Sequence, residues 1–244
     1  MSKGSKRRQS RTGQTHAQGN RNATGQVRII AGRWRGRKLP VADVQGLRPT
    51  GDRVRETLFN WLQADVAGAR CLDLFAGSGA LGFEALSRYA ASVAFIEPDK
   101  QAGAMISQSM ALLNVEQAGD VIAESGMFAQ SAPLEAGAAK AEPARQPSAM
   151  LIQDYAEPTL HRWQSYKSVP QFDLVFIDPP FAQQSQWSML ELLCTDFLAD
   201  QARVYVESPS SQRKPAYLPE GCDIVREKQF GDVMARLIHY INPT

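Results

Sequence analysis

The fold of this chain is decided by the stretch Cys71-Leu72-Asp73-Leu74-Phe75-Ala76-Gly77-Ser78-Gly79-Ala80-Leu81-Gly82. An apolar run breaks there into closely spaced glycines and continues as a helical pattern at Leu81, Ala85, Leu86 and Tyr89. This pattern predicts a strand, a tight turn and the start of a helix. Gly77 and Gly79 leave backbone N–H groups uncovered at the helix N-terminus, so a ligand can approach without meeting a Cβ atom. We therefore expect a nucleotide-type binding site.

The same glycines also match the Gly-x-Gly-x-x-Gly fingerprint of dinucleotide-binding proteins, and Glu97 ends the next apolar run where a ribose-binding acid is expected. Asp73 distinguishes the two interpretations. A carboxylate four residues before the first glycine would repel a pyrophosphate, but it suits a ligand with an ammonium and a sulfonium group, as S-adenosylmethionine has. The simpler alternative is a glycine-rich turn that binds nothing, and the matching offsets of Asp73, the glycines and Glu97 favour a binding site.

A second motif, Asp178-Pro179-Pro180-Phe181, follows the apolar run 173–177. Two prolines cannot extend a strand, so they fix an irregular turn that presents the Asp178 carboxylate and nearby carbonyl groups beside an aromatic ring. These acceptors suit the N–H bonds of an exocyclic amino group on a nucleobase, with Phe181 stacked on the base. The alternative is an ordinary strand-to-loop turn with a buried Phe. Open α/β sheets bind ligands at the carboxyl ends of their strands, where both motifs are expected.

Apolar strands alternate with helical patterns along the chain, which predicts an α/β fold with helices on both faces of a sheet. The expected fold class is Rossmann-like, with a seven-stranded, mostly parallel sheet, a C-terminal antiparallel hairpin and an N-terminal β-hairpin extension. Sheet strands are expected at 71–75, 92–96, 120–123, 173–177, 202–206, 222–225 and 233–241. The alternation fails near 130–171, where we predict a surface insertion with a short helix near 160–166.

A helical pattern before the glycine-rich stretch begins after Arg48-Pro49-Thr50, with Thr50 or Asp52 as the expected N-cap. Its apolar face consists of Val54, Leu58, Trp61 and Leu62. The opposite, solvated face is assigned to Arg53, Arg55 and Glu56. We expect Arg48 and Arg53 to lie near the ligand.

Basic residues are concentrated at the beginning of the chain. Residues 1–38 hold eleven Lys or Arg and no Asp or Glu, so the remaining sixteen basic residues face all twenty-five acidic ones. This segment therefore carries a charge of +11 and the rest of the chain carries −9. Such a division is typical of proteins that bind a polyanion. Residues 1–26 have almost no apolar side chains and are predicted to form a disordered basic arm, for which a solubilising tail is the alternative.

Residues 27–47 are predicted to form an arginine-rich RNA-binding hairpin, with two short strands around a glycine-containing turn. Positive charge beside a stacking ring suits looped or single-stranded RNA, whereas the simpler alternative is an ordinary surface hairpin. The candidate RNA-binding residues are Arg28, Arg33, Trp34, Arg35, Arg37 and Lys38, together with Arg48 and Arg53.

The composition argues against several other classes of protein. No apolar run reaches the length of a membrane span, and the first residues lack the apolar centre of a signal peptide, so the cytoplasm is the expected compartment. The cysteines Cys71, Cys194 and Cys222 show no paired or metal-like spacing, and no histidine lies at a ligand spacing from them. We therefore expect neither a disulfide nor a metal.

With both motifs placed, the chain resembles the class I S-adenosylmethionine-dependent methyltransferases, and more closely the bacterial 16S rRNA guanine-N2 methyltransferases of the RsmD family. The resemblance extends from about residue 27 to 241. It is carried by both motifs and by 28–32, 34–40, 47–50, 52–62 and Tyr205-Val206-Glu207-Ser208. It implies a methyltransferase domain over 48–244 and a monomer that methylates the exocyclic N2 of one guanine in 16S rRNA. The substrate it implies is a partly assembled small ribosomal subunit.

The resemblance also implies roles for individual residues. Asp178, Pro179 and Phe181 would hold the guanine. S-adenosylmethionine would be bound by Asp73, Phe75, Gly77, Ser78, Gly79, Glu97, Ser125 and Met127, with Glu97 on the ribose and the last two bordering the adenine. The arm before Val27 and the stretch near 130–171 are longer than is usual in the family.

Three other functions remain open at this point. An adenine-N6 methyltransferase acting on DNA or RNA, or a protein-amide methyltransferase, would use the same donor, although an Asn in place of Asp178 would favour it. A nicotinamide-dependent oxidoreductase is disfavoured by Asp73. A non-catalytic RNA-binding assembly factor is expected to lack Asp178 or a glycine of the turn, and this chain retains both.

Overall fold

The computed structural model describes residues 1, 25–43, 50–117, 146–166, 171–180 and 182–243. A small antiparallel pair of strands precedes a large sheet, which has eight strands within these ranges. The small pair consists of β1 (Gly25–Arg28) and β2 (Lys38–Val41). The large sheet consists of β3 (Arg70–Asp73), β4 (Ser92–Ile96), β5 (Glu116–Gln117), β6 (Ser148–Ile152), β7 (Phe172–Ile177), β8 (Leu198–Pro209), β9 (Cys222–Phe230) and β10 (Val233–Tyr240). The helices are α1 (Asp52–Trp61), α2 (Ala80–Ser87), α3 (Lys100–Leu113), α4 (Ala156–Gln164) and α5 (Gln186–Asp196).

The large sheet has the strand order β5-β6-β4-β3-β7-β8-β10-β9. In this order, the first six strands, from β5 through β3 to β8, are parallel to one another, and β10 runs antiparallel to both of its neighbours. This arrangement confirms the predicted α/β fold with its C-terminal antiparallel hairpin. The predicted count of seven strands is wrong, because the described residues contribute eight. The strand order reverses between β3 and β7, and such a switch point opens a crevice where α/β sheets bind ligands.

The described part of the predicted insertion is built into the sheet rather than lying on the surface. β6 lies between β5 and β4, with Ser148 paired to Ser92 and Ile152 to Ile96. α4 follows it and packs Trp163 into the core. The strand escaped prediction because its five residues stand in a long stretch rich in Ala, Pro and Gln, which hides a short apolar run. The strand predicted at 120–123 and the rest of the insertion before 146 lie outside the described residues.

Two apolar clusters pack on opposite faces of the sheet. Successive residues of β3 illustrate the alternation, since Cys71 belongs to one cluster and Leu72 to the other. The first cluster includes residues of the small strand pair, α1, α2 and α3, and the second includes residues of α4 and α5. Cys194 of α5 and Cys222 of β9 are free thiols whose sulfur atoms lie 3.4 Å apart. No helix within the described ranges is long and apolar enough to span a membrane.

Candidate active site

The glycine-rich turn joins β3 to α2 as the sequence predicts. Gly77 and Gly79 have positive φ angles of 53° and 72°, a backbone conformation that residues other than Gly rarely adopt. Gly79 is the N-cap of α2. Gly82 has a different role, because a Cβ atom there would lie 2.2 Å from Cε1 of Phe95. The first two glycines therefore shape the turn, and the third allows the helix to pack closely on the sheet.

Two carboxylates border this turn. Asp73, only 2% exposed at the end of β3, accepts a hydrogen bond from the Gly82 N–H at 3.1 Å. Glu97 follows β4 and accepts from the Gly77 N–H at 2.7 Å and from the Asp99 N–H at 2.8 Å. Each Glu97 oxygen therefore receives one backbone donor, and a carboxylate oxygen can accept two. Glu97 thus keeps acceptor capacity for the hydroxyl groups of a ligand.

Phe75 and Ser78 complete the described part of the predicted donor site. Phe75 is partly buried and packs against the second apolar cluster, while Ser78 is 5% exposed within the turn. Ser125 and Met127, which were predicted to border the adenine, lie outside the described residues.

Asp178 directly follows β7 and is held from two directions. Thr50, just before α1, donates its hydroxyl hydrogen to Asp178 Oδ2 at 2.9 Å. Ile177 pairs with Val206 in parallel register, so Asp178 lies beside Glu207 and their carboxyl groups are in contact, while Tyr205 Oη donates to Glu207 Oε1 at 2.7 Å. Pro179, which directly follows Asp178, is buried, and Phe181 lies outside the described residues. The structure therefore presents the Asp178 carboxylate at the same sheet edge as Asp73, because β7 and β3 are paired neighbours.

The electrostatics of this edge favour a cation. Burial, assisted by the negative charges of Asp178 and Glu97, raises the pKa of Asp73 to about 7, although the hydrogen bond from the Gly82 N–H opposes the shift. Burial likewise raises the pKa of Asp178 to about 6, although the hydrogen bond from Thr50 opposes the shift. The pKa of Glu97 is also raised, mainly by burial. Three carboxyl groups that resist ionisation together form a site that a positively charged ligand would stabilise and a pyrophosphate would not.

A cavity of about 440 Å³ lies beside the residues that directly follow Glu97 in the chain. It lies between the start of α3 and the segment after β6, and it is lined by Pro98, Asp99, Lys100, Gln101 and Tyr155. The sheet order explains this position, because β6 is the strand next to β4 and its carboxyl end brings Gln153, Asp154 and Tyr155 to the same edge. Arg162 donates to Asp154 at 2.8 Å and holds the pKa of that carboxyl group below its usual range.

The arginine-rich segment divides into exposed and packed residues. Its exposed cations are Arg28, Arg35, Arg37 and Lys38, and Arg53 is exposed on α1. Arg33 and Trp34 are only partly exposed, because the guanidinium of Arg33 lies 4.8 Å from the ring of Tyr89 and 5.6 Å from that of Trp34. Most of the arm predicted at 1–26, together with Arg48, lies outside the described residues, and β1 already begins at Gly25.

Glu84 of α2 attaches this segment to the domain. Its carboxylate accepts from the backbone N–H groups of Ile30 at 2.7 Å and Ala31 at 3.0 Å, and from Arg88 Nε at 2.8 Å. Ser87, one turn later, accepts from the Trp34 N–H at 3.1 Å. The helix that follows the glycine-rich turn therefore also anchors the arginine-rich hairpin.

Arg55 connects the hairpin to the active site. Its side chain is 1% exposed, and it donates to the carbonyl oxygens of Arg28 at 2.8 Å and Thr50 at 3.2 Å. Asp52 at 2.6 Å and Glu84 at 3.8 Å balance its charge. Arg55 thus contacts both Arg28 of the hairpin and Thr50, and Thr50 in turn donates to Asp178.

Two predictions about α1 are wrong. The N-cap is Gly51, without a side-chain cap, because the Thr50 hydroxyl and the Asp52 carboxylate have partners elsewhere. Arg55 does not lie on a solvated face but is buried. Local periodicity cannot reveal a buried charge whose partner, Glu84, is on another helix. The one available signal was Glu84 itself, a carboxylate within an otherwise apolar helical pattern.

The strand order, the glycine-rich turn and the acidic sheet edge define a class I methyltransferase fold. The sequence profile of the family described as Conserved hypothetical protein 95 matches residues 27–141 and 144–239. The chain belongs to this family, the RsmD family.

Relatives and solved structures agree with this assignment. The chain is 42% identical over 219 residues to Ribosomal RNA small subunit methyltransferase D of Haemophilus influenzae, covering 88% of this chain and 95% of the relative. It is 41% identical over 219 residues to the protein of the same name from Escherichia coli strain K12, covering 89% and 92%. The structure of Escherichia coli yhhF, described as a candidate methyltransferase, matches 90% of this chain and 100% of its own, with a TM-score of 0.69 and 38% identity.

Proposed function

We propose that this protein transfers the methyl group of S-adenosylmethionine to the exocyclic N2 of a guanine in 16S rRNA. The observation that carries the proposal is the pairing of β3 with β7, which places Asp73 and Asp178 at one edge, within electrostatic reach of each other. A carboxylate suited to a cationic donor therefore stands beside a carboxylate suited to an amino group. The family and the names of the relatives support rRNA as the substrate.

The described residues fit the donor. S-adenosylmethionine supplies a methyl group on a positively charged sulfur atom and also carries an ammonium group, and both charges complement Asp73. Gly77 and Gly79 supply the positive φ angles that the turn requires, and Glu97 retains acceptors for ribose hydroxyls. For the adenine we propose the cavity beside Tyr155, because β6 pairs with β4 and brings Tyr155 to the cavity lined by Pro98 and Asp99, which follow Glu97.

Asp178 prepares the guanine amino group that accepts the methyl group. The lone pair of a guanine N2 is delocalised into the ring, so the nitrogen is a poor nucleophile until acceptors hold its N–H bonds and turn the lone pair outward. Asp178 supplies one such acceptor, and the carbonyl groups of the Pro179-Pro180 turn supply others. In-line attack by N2 on the methyl carbon forms the N–C bond as the C–S bond breaks and S-adenosylhomocysteine leaves. Asp178 stabilises the positive charge that develops on N2 and accepts the proton that N2 then loses, which passes to water. Phe181 is proposed to stack on the flipped base.

The exposed cations of the hairpin are proposed to contact the RNA backbone. Arg28, Arg35, Arg37 and Lys38 all lie on the segment that Glu84 and Arg55 join to the active site. We propose that this segment docks on rRNA in a partly assembled small subunit while the target base enters at the sheet edge.

One experiment tests the substrate directly. The full-length protein and methyl-labelled S-adenosylmethionine are incubated with methyl-deficient small subunits, naked 16S rRNA and duplex DNA, and the labelled nucleoside is identified. We expect N2-methylguanosine from the RNA substrates and no label in DNA. Label on adenine would support the alternative amino-methyltransferase and reject guanine. RNA binding without any transfer would support a non-catalytic assembly factor.

A further inference from the structure

Glu207 is a buried acid with no role in the proposed transfer, yet it contacts the residue at its centre. It lies near the end of β8, the strand that pairs with β7, and is 5% exposed. Ile177 of β7 pairs with Val206 of β8, so the next residues, Asp178 and Glu207, lie side by side with their carboxyl groups in contact. Two ionised carboxylates repel each other and have no hydrogen to share, so a buried contact of this kind is favoured when one of the pair holds a proton.

The partners of each acid indicate which one holds it. Asp178 accepts the Thr50 hydroxyl at Oδ2, and this donor favours the ionised form of Asp178. Glu207 Oε1 accepts from the Tyr205 hydroxyl, which leaves its other oxygen to carry a hydrogen toward Asp178. Glu207 is also the more buried of the two, and burial together with the charge of Asp178 raises its pKa well above the usual range. A neutral Glu207 and an ionised Asp178 satisfy all of these contacts.

Other charged groups around the pair agree with this assignment. On β3, the charge of Asp178 opposes the ionisation of Asp73, so an additional negative charge on Glu207 would be unfavourable. Burial raises the pKa of Tyr205, which keeps its hydroxyl group a donor. On β10, Ala235 faces Glu207 in register, and Arg236 beside it is engaged with Glu227 and Ser208.

We propose that Glu207 is a positioning residue that stays protonated and donates its carboxyl hydrogen to Asp178, so that Glu207 and Thr50 together fix the orientation of the catalytic carboxylate. The lone pairs of Asp178 that remain are then directed at the amino group of the base. This inference rests on the proposed function, because the orientation of Asp178 matters only if this residue binds the guanine amino group that accepts the methyl group. The methyl transfer itself is unchanged, and Glu207 keeps its proton throughout.

Two substitutions separate this role from simple packing. Glu207→Gln preserves the geometry, since the amide oxygen can accept from Tyr205 and the amide N–H can donate to Asp178. Glu207→Leu has a similar size but neither group. We expect Glu207→Gln to retain a kcat within about threefold of the unmodified protein and Glu207→Leu to lose about 10- to 100-fold in kcat, as expected when a buried partner is left unsatisfied. Affinity for S-adenosylmethionine, measured by calorimetry, should change less than about threefold in both.

A second measurement needs no RNA and reports the proton directly. The infrared difference spectrum of the unmodified protein minus Glu207→Gln at pH 7.5 should contain the C=O band of a protonated carboxyl group, shifted in D2O. A carboxylate band in its place would overturn the inference, as would a Glu207→Gln variant as inactive as Glu207→Leu, or a fully active Glu207→Leu. If Glu207→Leu does not fold, Glu207→Gln and the spectrum still decide. If the unmodified protein transfers no methyl group to RNA, the proposed function fails, and the spectrum still tests the proton on Glu207.

Discussion

At the scale of single residues, the site is defined by carboxyl groups whose surroundings oppose their charge. Asp73 and Asp178 come from neighbouring strands, and burial raises the pKa of Asp73 to about 7 and that of Asp178 to about 6. The sequence motifs identify both residues, but the shifts arise only from the enclosure that the sheet edge provides. A site of this kind binds a cation best when it is ionised, and this requirement gives binding a pH dependence.

The affinity for S-adenosylmethionine should therefore rise with pH. Asp73 is mostly protonated at pH 6 and mostly ionised at pH 7.5, so we expect binding to tighten about five- to tenfold across this interval, with proton release on binding. Isothermal titration calorimetry in two buffers of different ionisation enthalpy measures both effects. Asp73→Asn should bind weakly and show no pH dependence in this range. If the unmodified protein bound S-adenosylmethionine equally well at pH 6 and pH 7.5, the result would contradict the role of Asp73.

Asp178 should affect catalysis far more than donor binding. We expect Asp178→Ala to abolish methyl transfer while the dissociation constant for S-adenosylmethionine stays within about tenfold, because the two sites use separate residues. The control is Asp223→Ala, an exposed position on β9, which should leave both quantities unchanged. Loss of donor binding in Asp178→Ala would show that the two roles are not separable.

At the scale of elements, α2 combines three functions in eight residues. It begins at the glycine-rich turn, packs against β4 and holds the arginine-rich hairpin through Glu84 and Ser87. All eight residues are buried, including the polar side chains of Glu84 and Ser87. The physical reason is that the hairpin covers the face that would otherwise meet water.

Close packing of α2 predicts a contrast between two helical glycines. Gly82→Ala places a Cβ atom 2.2 Å from the ring of Phe95, and overpacking of this kind should lower the free energy of unfolding by about 1–3 kcal/mol. Gly103 of α3 is the control, since its Cβ would come no closer than 3.2 Å, to the end of the Gln153 side chain, and would meet Leu151 at an ordinary contact distance of 3.5 Å. Gly103→Ala should be neutral or stabilise by up to about 1 kcal/mol. Urea unfolding measures both, and equal effects would argue against the packing role of Gly82.

The charge of Glu84 predicts a second stability effect. Glu84→Gln removes the negative charge beside buried Arg55, and we expect a loss of about 2–4 kcal/mol in the free energy of unfolding because that arginine is left less compensated. Glu157→Gln is the matched control, since Glu157 is 67% exposed and its removal should cost little. A Glu84→Gln variant as stable as this control would show that Asp52 alone suffices for Arg55.

At the scale of the whole molecule, a basic N-terminal segment is joined to an acidic body by buried contacts. Residues 1–38 carry +11 and the remainder −9. Long-range attraction brings a polyanion to the basic segment, and repulsion by the acidic body limits how the polyanion can lie. Through Arg55, the hairpin is in contact with Thr50, whose hydroxyl group donates to Asp178.

The salt dependence of RNA binding should follow from this division. Deleting residues 2–24 removes six of the eleven basic residues, and we expect the slope of log K against log salt to become shallower by up to about 4, at about 0.7 for each lost contact with single-stranded phosphate. Fluorescence anisotropy with an rRNA fragment at several salt concentrations measures the slope. An unchanged slope would show that residues 2–24 do not contact RNA.

Local pattern was sufficient for much of the fold, and its failures have physical causes. The turn after β3 and the strand before Asp178 were predictable because glycine spacing and apolar runs act over a few neighbouring residues. β6 was missed because the composition around its five residues hides the apolar run. Buried Arg55 was assigned to the surface because the periodicity of α1 carries no information about a carboxylate on α2.

The sequence by itself determined the alternation of strands and helices, the glycine-rich turn, the basic segment and the two acids at the ends of β3 and β7. Only the tertiary structure decided which residues surround those acids. Thr50 lies 128 positions from Asp178 in the chain, and Glu207 comes from a different strand of the sheet. Contacts at such separations depend on the order in which strands pair and on which groups are removed from water together, and short-range sequence patterns encode neither.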